Sequence, residues 1–163
     1  MNLLEEIVNY KKLEVSEKKQ LYTTKLLEKS IYFNSPTVSI TEYLSKKDKY
    51  GIIAEFKRKS PSKGYINKYA SVENVSIGYM RAGASALSIL TDSNFFGGSN
   101  DDLTEARKLN YCPILRKDFI IDEYQIIEAK SIGADAILLI AAILNKTSIR
   151  KLLSFASSLN LET

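Results

Sequence analysis

Ile52-Ile53-Ala54-Glu55-Phe56-Lys57-Arg58-Lys59-Ser60-Pro61-Ser62-Lys63-Gly64 passes from an apolar run, through charge, into a loop of serine, proline and glycine. The run predicts a strand, and the turn residues end it. Strand side chains alternate between faces, so Ile53, Glu55 and Lys57 share one face while Ile52, Ala54 and Phe56 share the other. The second face is apolar throughout, and the first turns ionic at its C-terminal end. In parallel α/β folds ligands bind beyond that end of a strand, which makes Glu55 and Lys57 candidates for chemistry. An edge strand with a solvated charged face is the alternative that the segment alone leaves open.

Working outward, residues from about 2 to 30 carry helical spacing, with Leu3, Leu4, Ile7 and Val8 followed by Leu13, Val15, Leu21, Leu26 and Leu27. Ser35-Pro36 marks a break, and Thr41 to Leu44 reads as a short helical turn. Residues 1–47 are therefore expected to form an N-terminal helical extension packed on the main unit, its many lysines lying on a solvated face. Downstream of the quoted strand, Ser71 caps a helix stopped at Gly83, and Ala86 to Thr91 reads as a buried strand. A helix over about Asp101 to Leu109 follows, then a strand from Cys112 to Arg116 that ends in Lys117-Asp118-Phe119. Asp122 caps the next helix, stopped at Gly133. Ala136 to Ile140 forms a fourth strand, and Thr147 or Ser148 opens a last helix with Leu152, Leu153 and Ala156 inward. Regular strand–helix alternation argues for a parallel sheet. Gly83-Ala84-Ser85-Ala86 and Gly133-Ala134-Asp135-Ala136 repeat one helix-to-strand junction two units apart, as a barrel built by repetition would.

Composition narrows the chemistry. With 163 residues, 45% hydrophobic and 26% charged, the chain suits one globular domain with a sizeable core. No segment reaches the roughly 20 apolar residues that span a bilayer, and no secretory signal is visible. The single cysteine, Cys112, excludes an internal disulfide and reads as a small buried hydrophobe, in keeping with a cytoplasmic setting. The absence of histidine removes Ser-His-Asp and Cys-His catalysis and the commonest zinc ligand, so acid–base chemistry falls to Lys, Glu, Asp or Tyr. A net charge of +4 suggests an anionic partner. No recognition-helix, zinc-finger or aromatic RNA-binding pattern accompanies that charge, so a small phosphorylated or carboxylated molecule is favoured over nucleic acid.

Alternation on the third strand puts Pro113, Leu115, Lys117 and Phe119 on one face, bringing a second lysine to a strand's C-terminal end. If the strands are parallel neighbours, Glu55, Lys57 and Lys117 ring one mouth, with Ala136 and Leu138 as an apolar wall. Repulsion between the lysines, with partial burial, would then make one a competent proton donor near neutral pH. Taken alone, Lys117 also reads as a snorkelling surface lysine.

The segment Ile53 to Gly64 closely resembles the signature of the indole-3-glycerol phosphate synthase family. The resemblance continues through Ile7-Val8, Lys11-Lys12 and Glu14-Val15, Leu87 to Asp92, Phe95 to Ser99, Leu115 to Ile120 and Gly133 to Ile140. It implies a (β/α)8 TIM barrel and a carbon–carbon lyase of tryptophan biosynthesis. The implied reaction closes the indole ring of 1-(2-carboxyphenylamino)-1-deoxyribulose 5-phosphate, releasing carbon dioxide and water with no metal or other cofactor. By resemblance Lys117 is the general acid, Lys57 holds the substrate's anionic groups, and Glu55 tunes Lys57 or assists proton transfer. Ser60 belongs to the adjoining substrate-binding loop, and Phe96, Phe119 and Leu138 pack on the anthranilate ring.

A complete barrel of this type needs about 250 residues. Residues 48–163 are accordingly expected to form its first half, about four βα units, with a fifth strand due at Leu161-Glu162-Thr163. The family's second-half glutamate, asparagine and phosphate loops have no counterpart here, so the chain is expected to be a shortened synthase, inactive alone. Its bare first and fourth strand edges should drive self-association or pairing with a C-terminal half. A non-catalytic half-barrel module binding a partner or a phosphorylated ligand is the alternative reading, and a phosphoribosylanthranilate isomerase fits the lysine contexts less well.

Overall fold

The computed structural model describes residues 2–163. The quoted run folds as strand β1 (Ile53–Phe56), and its loop closes into a small antiparallel hairpin of β2 (Lys59–Ser60) and β3 (Gly64–Tyr65). Helix α4 (Val72–Arg81), numbered after the leader helices α1 (Leu3–Leu21), α2 (Thr24–Leu27) and α3 (Ile40–Ser45), carries the chain to β4 (Ala86–Leu90). Then follow α5 (Asn100–Leu109), β5 (Ile114–Lys117), α6 (Glu123–Ser131), β6 (Ala136–Ile137) and α7 (Lys146–Ser158). The main sheet runs β1-β4-β5-β6, with every neighbouring pair parallel and in chain order.

Period-two alternation divides each strand as expected. Phe56, Leu87, Ile89, Ile114 and Ile137 turn towards the helices and meet Leu103, Ala106, Ile126, Ala129, Leu152 and Ala156 in one buried core. Burial of a side chain of this size contributes roughly 1.5–3 kcal/mol, so this layer holds the helices on the sheet. A second cluster, Ile7, Phe95 and Phe119 with Phe96, Ile140 and Ile143 against it, closes the C-terminal end.

The repeated Gly-Ala-x-Ala segments build one joint twice. Gly83 and Gly133 take φ of +90° and +94°, left-handed values open to glycine at little cost. The N–H groups of Ala84 and Ala134 donate to Tyr79 and Ala129 carbonyls, completing the same helix-ending motif. At the variable position the side chain ties the preceding strand of the sheet. Ser85 Oγ accepts the Gly51 N–H at 3.0 Å, and Asp135 Oδ2 accepts the Ile114 N–H at 2.7 Å.

Several boundaries differ from the sequence reading. The leader is not one helix, because Tyr22 leaves it in extended backbone and Thr23 caps a new turn. The fourth strand pairs only at Ala136 and Ile137, after which Leu138 to Ile140 run on without a ladder. Helix α7 begins earlier than expected, capped by Asn145, and Leu153 is exposed while Leu152 and Ala156 are buried. The edge of β1 is open, with Ile52 and Ile53 exposed, but β6 is not bare: Glu162 pairs with Ala136 in parallel, where a fifth strand would start. The Glu162 carboxylate also accepts from the Thr41 N–H and from the hydroxyls of Ser39 and Thr41, tying α3 to that edge.

The leader's charge is not simply a solvated face. Lys11 is fully buried, its Nζ 2.7 Å from Glu14, 2.9 Å from Asp92 and 3.1 Å from Asp118. Behind it, buried Arg116 pairs with Glu128 at 2.6 Å and Asp118 at 3.3 Å, and donates to Thr91 Oγ1 and the Gln125 carbonyl. Burial opposes ionisation of Asp118, but the charges of Arg116 and Lys11, with the Thr91 hydroxyl, bring its carboxyl down to about 2. Among the described residues no helix is long and apolar enough to cross a membrane.

The folded Asp118 value lies below that of an unfolded aspartate, so its contribution is present above about pH 4 and is lost as pH falls towards 2. Through this carboxyl the fold is expected to lose on the order of 2 kcal/mol between about pH 5 and pH 2. Urea unfolding of Asp118→Asn over the same range should be weaker near neutrality and flatter in pH.

Candidate active site

Strand β1 delivers Glu55 and Lys57 to the interior face at its C-terminal end, and β5, one strand removed across β4, delivers Lys117 at the same level. The register sets Glu55 beside Ser88 and Lys117 beside Leu90. The two lysines do not simply repel across the mouth: Glu55 stands between them. Lys117 Nζ donates to Glu55 Oε2 and Lys57 Nζ to Glu55 Oε1, each at 2.9 Å. Burial works against the Glu55 carboxylate, yet hydrogen bonds from Lys117 and then Lys57 hold its pKa below the ordinary glutamate value.

These groups line a cavity of about 190 Å³ together with Phe96, Phe119 and Leu138, and with Leu90, Asp118 and Ile140. The Phe96 and Phe119 rings are 5.9 Å apart between centroids and inclined at 37°, an open aromatic wall beside the charged trio. Of the seven site residues read from the sequence, Glu55, Lys57, Lys117, Phe96, Phe119 and Leu138 meet in this cavity. Ser60 does not. It lies in an adjoining groove of about 440 Å³ with Ser62 and Lys63 of the hairpin and Leu3, Leu4 and Ile7 of α1. Lys57, Phe96 and Phe119 border both spaces, so groove and cavity are continuous.

Leu90 and Ile140 were legible but unread, since they continue the interior alternations Ala86-Ser88-Leu90 and Ala136-Leu138-Ile140. The leader's share in the groove had no such signal. The basic run Lys57-Arg58-Lys59 divides three ways. Lys57 enters the cavity, Arg58 makes a bidentate pair with Asp102 at 2.6 and 2.8 Å, and Lys59 donates to the Asn94 carbonyl. Of the three charges, Lys57 alone lines the cavity, where it is also bonded to Glu55.

The loop after β4 shapes the aromatic side. Asp92 Oδ1 accepts the N–H groups of Phe95 and Phe96, and the Gly98 N–H reaches the Asp92 carbonyl at 2.8 Å. A Cβ on Gly98 would fall 2.0 Å from the Leu90 carbonyl oxygen, so the loop closes this tightly only around glycine. Among the described residues no group of three or more Cys, Asp or Glu side chains could hold a metal ion. Ammonium groups, a carboxylate and aromatic faces in one partly enclosed space can bind an anionic planar molecule and exchange protons with it.

The family model described as indole-3-glycerol phosphate synthase matches residues 4–163. Curated proteins of that name resemble the chain along nearly its whole length. One from Bacteroides thetaiotaomicron is 49% identical over 161 residues, covering 99% of this chain and 62% of the relative. One from Prochlorococcus marinus is 46% identical over 162 residues, covering 98% and 55%, and one from Campylobacter fetus is 40% identical over 160 residues, covering 98% and 62%. The chain thus spans between 55% and 62% of the length of these relatives.

Replacing Lys117 by Met removes the first of the two hydrogen bonds that favour ionised Glu55. The Glu55 carboxyl, followed by carbon-13 NMR across a pH titration, should move up towards the ordinary glutamate range. An unmoved titration would show that Lys57 alone sustains it.

Proposed function

The chain belongs to the indole-3-glycerol phosphate synthase family, whose fold is a TIM barrel, and we propose that it supplies the substrate-gripping and proton-donating half of that active site. The observation that carries this reading is the Glu55 carboxylate shared by Lys57 and Lys117 against the Phe96–Phe119 wall. The proposed substrate is 1-(2-carboxyphenylamino)-1-deoxyribulose 5-phosphate, a molecule with a planar ring at one end and a phosphate at the other.

The ring lies between Phe96, Phe119 and Leu138, where its flat face replaces water on apolar surface. Lys57 meets the substrate carboxylate, and Ser60 with Lys63 stands along the groove that leaves the cavity beside it. The ring carbon bearing the carboxylate attacks the ketone carbon, and Lys117 gives its proton to the ketone oxygen as the new carbon–carbon bond forms. Loss of carbon dioxide returns the electron pair to the ring; the hydroxyl then takes a proton from an ammonium group and leaves as water while the neighbouring methylene carbon gives up a proton to a carboxylate, which forms the double bond of the indole. Glu55 holds both ammonium groups in place and is the nearest base to accept a proton back. We place the reaction in the cytoplasm, with no nucleic-acid or membrane partner.

Four further strands, the first extending from Glu162 and the last pairing with the open edge of β1, would close the barrel. The test is to assay the 163-residue chain alone and with the C-terminal segment that completes the Bacteroides thetaiotaomicron relative. No indole-glycerol phosphate is expected from the chain alone, and turnover is expected from the pair. Within the pair, Lys117→Met should lower kcat by about 10²–10⁴. A stable pair without turnover would favour a half-barrel binding module instead, and turnover that survives Lys117→Met would overturn the assignment of the acid.

A further inference from the structure

One cation on the leader is joined to both loops that carry the aromatic wall. Lys11, on α1, meets Asp92 just beyond β4 and Asp118 just beyond β5. Each carboxylate also holds the backbone of an adjoining phenylalanine. Asp92 Oδ1 accepts the N–H groups of Phe95 and Phe96, at 2.7 and 3.2 Å, and Asp118 Oδ1 accepts that of Phe119 at 2.8 Å. Phe96 and Phe119 line the cavity; Phe95 packs beneath, edge-on to Tyr10 of α1.

The two carboxylates are not equally provided for. Asp118 has Arg116 as well as Lys11, whereas Lys11 is the one cation paired with Asp92 among the described residues. Asp92 and Asp118 are themselves almost wholly buried. Without the ammonium, Asp92 would be a buried charge with no counter-ion among the described residues, and its carboxylate would be drawn towards solvent. A carboxylate that shifts in this way no longer accepts two backbone N–H groups in fixed geometry, and the loop carrying Phe96 relaxes.

We propose that Lys11 is a positioning residue which, through Asp92 and Asp118, sets the spacing of Phe96 and Phe119 and so the fit of the aromatic ring between them. The ring's identity rests on the reading above; the spacing of the wall does not.

The test labels the 163-residue chain with 4-fluorophenylalanine, which reports on Phe33, Phe56, Phe95, Phe96, Phe119 and Phe155 separately in fluorine NMR. Lys11→Met is expected to displace the Phe95, Phe96 and Phe119 resonances beyond their line widths and to leave the other three in place. Lys11→Arg, which keeps the charge, should return them towards their original positions. Tyr124→Phe removes the hydroxyl that bonds the Lys18 and Tyr22 carbonyls, loosening the far end of α1 without touching the ammonium; it adds a seventh resonance of its own and should leave the original six unmoved. If Lys11→Met does not fold, the double change Lys11→Met with Asp92→Ala removes one charge of each sign together with the oxygen that accepts from Phe95 and Phe96, and the same displacement is expected. Folded Lys11→Met with Phe96 and Phe119 unmoved overturns the proposal, as does equal displacement of all six. In the completed barrel Lys11→Met should raise KM by about tenfold with a smaller effect on kcat, the sign of lost ground-state binding. Failure of the completed barrel to turn over would count against the ring-closing reading, while the fluorine resonances would still decide the role of Lys11.

Discussion

Successive side chains leave a strand on opposite faces, and that constraint organises both halves of this molecule. In β1 and β5 it sends Phe56, Ile114 and Arg116 towards the helices and Glu55, Leu115 and Lys117 towards the interior. A slip of one residue in either strand would exchange those sets, burying the chemistry under the helices and exposing the core. The parallel register then brings the two interior lysines to one level, close enough for a single carboxylate to bridge them. Core and site are therefore set by the same geometry.

Much of this was legible because it is local. Strand alternation, helix caps and glycine stops are written within a few residues of where they act, and the repeated Gly-Ala-x-Ala segments fold as the same joint. Alternation also placed Glu55, Lys57 and Lys117 at one mouth, with Phe119 on the face of Lys117 and Leu138 in the wall, and the family resemblance added Phe96; the structure gathers these six into the same cavity. What alternation could not show was Glu55 standing between the lysines, since that depends on how two strands separated by a third bring their side chains together.

The buried charges were not legible, for a physical reason. Lys11 has the sequence context of a solvated helix residue, and Arg116 follows an apolar run on a face that otherwise buries hydrocarbon. Each is tolerable there because, beside a nearer carboxylate, others arrive from different elements, Asp92 and Asp118 at Lys11 and Glu128 at Arg116, and spacing along one element carries no trace of those partners. Arg116 is satisfied by Glu128 on α6, by Asp118 and by Thr91. Ser60 shows the converse limit: its place along the sequence puts it next to the cavity, but the hairpin turns it into the adjoining groove.

The bonds from Ser39 and Thr41 to Glu162 join residues 121 to 123 positions apart. A ribosome adding about 5–20 residues per second takes on the order of ten seconds to make that span. For that interval α3 lacks its anchor, and α1 has earlier waited in the same way for Asp92 and Asp118. The leader, made before the sheet it packs on, is thus among the last parts to settle, and its exposed leucines and unpaired lysines are open meanwhile to chaperones and to neighbouring nascent chains.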